Sequence, residues 1–154
     1  MQGASPVDRD DQSKFDMEDW PFYWLTRFAG RYQHEMERGL KPIGLDVARW
    51  RVLMTLRGKE ALSVSEIADH AIVKLPTMTK IIQRMQADDL VECRQSHTDG
   101  RVTVVQLTPK GAEAGDSAWK IANRIYRRAF EELSPKDVST LNKLLRNITR
   151  SLAG

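Results

Sequence analysis

Residues 62–111 read LSVSEIADHAIVKLPTMTKIIQRMQADDLVECRQSHTDGRVTVVQLTPKG, and the order of signals within them decides the fold. Ser63 with Glu66 three residues later is a capping box, and Ile67, Ala68 and Ala71 follow as one apolar face. A turn over about residues 70–74 leads to Pro76, suited to a helix's first turn. Leu75, Met78, Ile81, Ile82 and Met85 then recur at helical spacing. The opposite face carries Lys74, Thr77, Lys80, Gln83 and Arg84. Residues 91–94 and 102–107 read as strands, joined by a turn-forming, charged tip at 95–101. Two short helices with a tight turn, then a hairpin with a basic tip, predict a winged helix-turn-helix. A reading helix must bury one face on its own domain and offer short polar and cationic side chains to base edges and phosphates.

Outward from this stretch the chain is helical. Pro21, with Asp19 upstream as a cap, opens a helix in which Leu25, Phe28, Ala29, Tyr32, Met36 and Leu40 form the apolar face. Gly39, Pro42 and Gly44 end it. Asp46 caps a second helix with Val47, Trp50, Leu53, Met54 and Leu56 inward, closed by Gly58. On the other side, a helix from Pro109 to about Leu133 carries Ala118, Ile121, Ala122, Ile125 and Ala129. Ser134, Pro135 and Asp137 then open a last helix, where Val138, Leu141, Leu145, Ile148 and Leu152 make a seam over two heptads. That seam packs within the fold or on a second subunit. The expected class is mainly α with a small β-hairpin wing: an acidic tail over 1–19, then one domain over 20–152. Within it the winged helix-turn-helix spans about 46–108, and the flanking helices about 20–40 and 109–152.

Composition narrows the function. The chain has 154 residues, 41% hydrophobic and 29% charged, enough for a packed core. No apolar run approaches the roughly 18 residues of a membrane span, and the acidic N-terminus lacks the apolar stretch of a secretory signal. Cys93 stands alone, and His34, His70 and His97 are dispersed, so no metal site is expected. Neither a phosphate-binding Gly loop, a nucleophile elbow nor an HExxH motif occurs, so neither an enzyme nor a cofactor is expected. The expectation is a cytoplasmic protein. Residues 1–20 carry a net −4 and the remainder +7, which favours a polyanionic partner.

With these residues in order, the chain resembles the MarR family of transcriptional regulators. The matching stretches are 44–53 (GLDVARWRVL), 62–68 (LSVSEIA) and 77–85 (TMTKIIQRM). The most specific are Asp99-Gly100-Arg101 and residues 105–111 (VQLTPKG), similar to the family's D-x-R wing and L-T-x-x-G exit. The resemblance implies a homodimer built from the first and last helices, a palindromic double-stranded DNA operator and often a small-molecule inducer. It puts Arg101 in the minor groove, with Asp99 orienting its guanidinium through a charge-assisted contact. It puts Thr77, Thr79 and Lys80 at bases and Arg84 at a phosphate, with Lys74 and Pro76 alongside; Pro76 departs from the commoner polar residue. The alternative for Lys80 and Arg84 is a solvated helix face. Thiol-sensing members use a cysteine near the first helix, where this chain has none.

A second constellation lies on the first helix. Trp20, Trp24, Arg27, Arg31 and His34 step by 4, 3, 4 and 3, with Tyr23 near and Trp50 and Arg51 on the second helix. Aromatic rings around guanidinium groups suit a planar aromatic carboxylate, and the resemblance implies a pocket there. The competing reading makes the tryptophans interface or core residues and Arg27 a surface ion-pair partner. The expected function is a ligand-responsive repressor, against a non-responsive architectural DNA binder or a helical protein-interaction module.

Overall fold

The computed structural model describes residues 15–153. The tail expected over 1–19 lies mostly outside them. Of its last residues, Asp16 caps a 3-10 turn, Met17–Asp19, and Phe15 meets Trp20 edge-on at 5.8 Å. Six helices and a three-stranded sheet follow. Helix α1 is Pro21–Leu40 and α2 is Val47–Leu56, separated by a 3-10 turn, Lys41–Ile43. Strand β1 is Leu62–Ser63, α3 is Val64–Ala71, α4 is Leu75–Ala87, β2 is Val91–Gln95 and β3 is Thr103–Leu107. Helices α5, Pro109–Ala129, and α6, Pro135–Leu152, complete the chain.

The local signals act where their chemistry requires. Asp46 accepts from the Arg49 N–H at 2.8 Å, and Ser63 from the Glu66 N–H at 3.1 Å. The Glu66 carboxylate returns the bond to the Ser63 N–H at 2.7 Å, which holds its pKa below the usual carboxylate range. Asp137 is held low by the Ser134 hydroxyl first and the Ser134 N–H second. The first helix differs in detail: its cap position is Trp20, which makes no side-chain cap bond, because Asp19 belongs to the preceding 3-10 turn. The turn between α3 and α4 closes with Ile72 in the left-handed region, at φ 55° and 91% exposed. A β-branched residue rarely sits there.

The sheet runs β1-β3-β2, wholly antiparallel, with Leu62 opposite Val105 and Val91 opposite Leu107. The sequence reading contains β2 and β3 but not β1, whose two residues also lead into the α3 cap. Met36 and Leu40 from α1, Leu53 and Leu56 from α2, Ile67, Met78 and Met85, and Ala118 from α5 share one core. That core therefore centres on the head and takes only the C-terminal end of α1.

The exit from the wing into α5 is the tightest joint. Thr108 caps α5 by accepting from the Gly111 N–H at 2.9 Å, and its hydroxyl donates to the Asp89 carbonyl at 2.6 Å. A Cβ on Gly111 would lie 1.9 Å from the Leu90 carbonyl oxygen, so only glycine fits. Lys110 Nζ donates to the Asp88 carbonyl at 2.8 Å. Arg49 reaches Asp88 at 3.3 Å and Asp46 at 3.2 Å. The end of α4 is thereby tied to both α2 and α5.

The flanking helices behave otherwise. On α1, Phe28 and Tyr32 of the expected apolar face are exposed, as are Phe22 and Trp24 beside it. No residue of α6 is buried, and its seam residues Ile148 and Leu152 are 47% and 78% exposed.

Candidate nucleic-acid interface and ligand stripe

Helix α4 buries Met78, Ile82 and Met85. That packing turns Lys74, Pro76, Thr77, Thr79, Lys80 and Arg84 to solvent on its other side, all six exposed. Leu75, expected inward, is 47% exposed because it starts the helix above the core. Thr79 spends its hydroxyl hydrogen on the Leu75 carbonyl at 3.0 Å, which leaves the oxygen as an acceptor. Among the described residues, neither Lys80 nor Arg84 is within ion-pair distance of a carboxylate.

The wing is organised by its backbone. Ser96 N–H donates to the Val102 carbonyl at 2.8 Å, and Val102 N–H to the Asp99 carbonyl at 3.0 Å. Asp99 Oδ1 accepts from the Arg101 main-chain N–H at 3.0 Å. This Asx-type bond shapes the turn through Asp99 Oδ1, and Arg101's side chain is exposed. Arg101 borders a cleft shared with Thr79 and Gln83 of α4 and with Cys93 and Thr103 of the wing. Helix and wing therefore face one groove-like surface. Gln83, placed on the exposed face by its spacing but not singled out as a site residue, also lines it. Burial pushes the Cys93 thiol up, which opposes thiolate chemistry there.

The aromatic–arginine stripe is only partly gathered. Arg27 lies over the Tyr23 ring, 5.0 Å from its centroid, and Tyr23 meets Trp24 edge-on at 5.0 Å. Trp24 Nε1 donates to the Glu18 carbonyl at 2.8 Å, and Trp20 stacks obliquely on Phe22. Arg31 and His34 are exposed further along α1. Trp50 is 7% exposed within the head's core, as its inward spacing on α2 predicts, while Arg51 points to solvent. Glu35, at the lower end of α1, bonds Arg128 of α5, which holds its carboxyl below the usual range. Among the described residues no cluster of His, Cys, Asp and Glu could hold a metal, and no helix is long and apolar enough to cross a membrane.

The MarR family model matches residues 45–103, the head from α2 to the wing. The HTH-type transcriptional repressor IacR of Pseudomonas putida is 45% identical over 139 residues, 90% of this chain and 83% of that protein. Among solved structures, AbsC, a MarR family transcriptional regulator from Streptomyces coelicolor, superposes with a TM-score of 0.81 at 25% identity. It covers 91% of this chain and 97% of its own. Bordetella bronchiseptica BpsR, whose structure concerns regulation of its DNA binding by 6-hydroxynicotinic acid, gives 0.73 at 24% identity, covering 83% and 97%. The head's architecture, its exposed reading face and the near full-length likeness to IacR agree: this chain is no enzyme and belongs to the MarR family of DNA-binding transcriptional regulators.

Proposed function

We propose that the protein works in the cytoplasm as a homodimeric repressor that binds a palindromic operator and releases it on binding a small aromatic carboxylate. The observation that carries the DNA-binding part is the surface shared by α4 and the wing. One buried helix face leaves Thr77, Thr79, Lys80 and Arg84 outward, and exposed Arg101 of the wing shares a cleft with Thr79 and Gln83 of that helix. The dimer reading rests on the uncovered apolar faces of α1 and α6, which a lone winged head does not need. Repression follows the name of its 45% identical relative.

The inducer reading rests on α1 and its cap residue. Trp20, Tyr23 and Trp24 supply rings and Arg27 and Arg31 supply guanidinium groups, while Trp50 is committed to the core. The fold accommodates such control, since BpsR answers to an aromatic carboxylic acid. Ligand acts only through a difference in affinity between DNA-competent and DNA-incompetent head separations.

The test is a titration with benzoate, salicylate, hydroxycinnamate and indole-acetate, followed by tryptophan fluorescence and repeated as gel-shifts. One of these acids should release operator. Arg27→Ala or Arg31→Ala should weaken that ligand roughly ten- to a hundred-fold, the effect of losing a charge-assisted bidentate pair, with operator affinity nearly intact. If no acid quenches fluorescence or releases DNA at millimolar concentration, the stripe is structural.

A further inference from the structure

In a dimer, the distance between two heads depends on the angle at which α2 leans on α5, and Arg57 sits at that joint. It is the residue on which α2 ends, with φ −59° and ψ 124°, and its N–H bonds the Leu53 carbonyl at 3.0 Å. Its guanidinium then crosses to α5. Nη1 donates to the Gly115 carbonyl at 3.4 Å, Nη2 lies 3.1 Å from Asp116 Oδ1, and the cation stands 5.4 Å from the centroid of the Trp119 ring. One planar group thus holds a backbone carbonyl, a carboxylate and an indole within little more than one turn of α5.

The rest of that contact has no comparable direction. Even a Cβ added at Gly115 would come no closer to Leu53 than ordinary van der Waals contact, and Ala118 and Ala122 are small and buried. Apolar burial opposes separation but is non-directional, so it opposes rotation weakly; a forked guanidinium fixes orientation. The Arg57 and Asp116 side chains are 40% and 65% exposed, and an ion pair in such a place adds little to stability. Its value is angular. From the clasp at Gly115 and Trp119 helix α5 runs on to Ala129, about 15–20 Å, so a turn of ~10° at the joint displaces its far end by ~3 Å, close to one base-pair step.

We propose that Arg57 is a positioning residue whose clasp on Gly115, Asp116 and Trp119 fixes the head's angle on α5 and sets the half-site spacing the dimer accepts. This rests on the dimeric operator-binding reading above. The test uses a palindromic duplex selected from random DNA by the wild-type protein, the same duplex with one base pair added or removed between half-sites, and a single half-site. Wild type should discriminate against both altered spacings. Arg57→Ala should lose roughly fivefold on the selected duplex and discriminate among the three spacings by no more than about twofold. Its half-site affinity should be unchanged and its melting temperature within about 2 °C of wild type, as expected for a change well under 1 kcal/mol. Arg57→Lys keeps the charge beside Asp116 without the fork and should fall between; Trp119→Leu should move in the direction of Arg57→Ala.

Wild-type spacing discrimination retained by Arg57→Ala overturns the proposal. So does an equal loss on every duplex, half-site included, which would make Arg57 a folding residue only. A wild-type protein with no spacing preference overturns the dimeric reading beneath it, and this shows before any variant is made.

Discussion

In the head, Leu53, Leu56, Ile67, Met78 and Met85 are at most 1% exposed; on α1 and α6, Trp24, Phe28, Leu144, Ile148 and Leu152 are 47–78% exposed. Both sets recur at helical spacing, so periodicity alone does not separate them. What separates them is the number of elements that can close over each face. The head folds three helices and a hairpin around a short stretch of chain, so every apolar face meets another. Helices α1 and α6 lie at the two ends of the chain, and α6 buries no residue on its own subunit. One region is closed within the chain, with Met36 and Leu40 of α1 and Ala118 of α5 completing its core, and the other presents a surface that a second subunit can close.

The largest effect that would break this comparison lies where the regions join. Gly111→Ala puts a Cβ 1.9 Å from the Leu90 carbonyl, and backbone cannot yield cheaply. The variant should lose about 4 kcal/mol or more in urea unfolding, at the exceptional end for a single substitution. A wild-type midpoint would show that α5 does not leave the head by the joint described.

The next largest effect should fall on function and leave folding alone. Arg101→Ala should weaken operator binding by about 1–3 kcal/mol with the dimer intact, if its guanidinium enters the groove. Arg84→Ala should weaken all sequences alike and flatten the salt dependence, as a phosphate contact does. Gel-shifts at several salt concentrations separate the two. Unchanged operator binding by Arg101→Ala would remove the wing from the interface.

Smaller effects sharpen the account of the head. Ile72→Gly relieves a left-handed β-branched residue that is 91% exposed and so buries almost nothing. The strain released, about 1–2 kcal/mol, exceeds the added entropy of the unfolded chain, so the variant should gain about 0.5–1 kcal/mol by thermal unfolding. The smallest effect concerns the caps. Glu66 and Asp137 have folded pKa values below their unfolded ones, so the native state binds fewer protons. Their contribution is full above the unfolded values, near pH 4, and is lost as pH falls through the lower folded values. Glu66→Gln and Asp137→Asn should flatten the acid limb of a stability–pH curve and leave its neutral region little changed in slope.

The head was legible in sequence because its signals are local. Ser63 and Glu66, Pro76, the turn residues at 95–101 and the step from Thr108 to Gly111 each act within a few residues. Strand β1 was not legible: two residues carry no alternation, and Leu62 finds Val105 far along the chain. The Asx-type bond from Asp99 to the Arg101 N–H is not legible from charge pairing, because it depends on the backbone turn between them. Periodicity on α1 showed an apolar face, not whose atoms cover it. Trp50 reads from its spacing both as an inward core residue and as a ligand contact, and its burial agrees with the first. Arg57 gave no signal, because its partners on α5 lie about sixty residues away.

The most direct test of the central claim is the mass of the full-length protein by light scattering at micromolar concentration. With α1 and α6 closed by a second copy, it should be twice 17.6 kDa, and Leu145→Asp combined with Ile148→Asp should halve it while the head stays folded. A wild-type mass of 17.6 kDa would mean that those faces stand uncovered, and would contradict the division of the chain into a self-contained reading head and a shared dimer body.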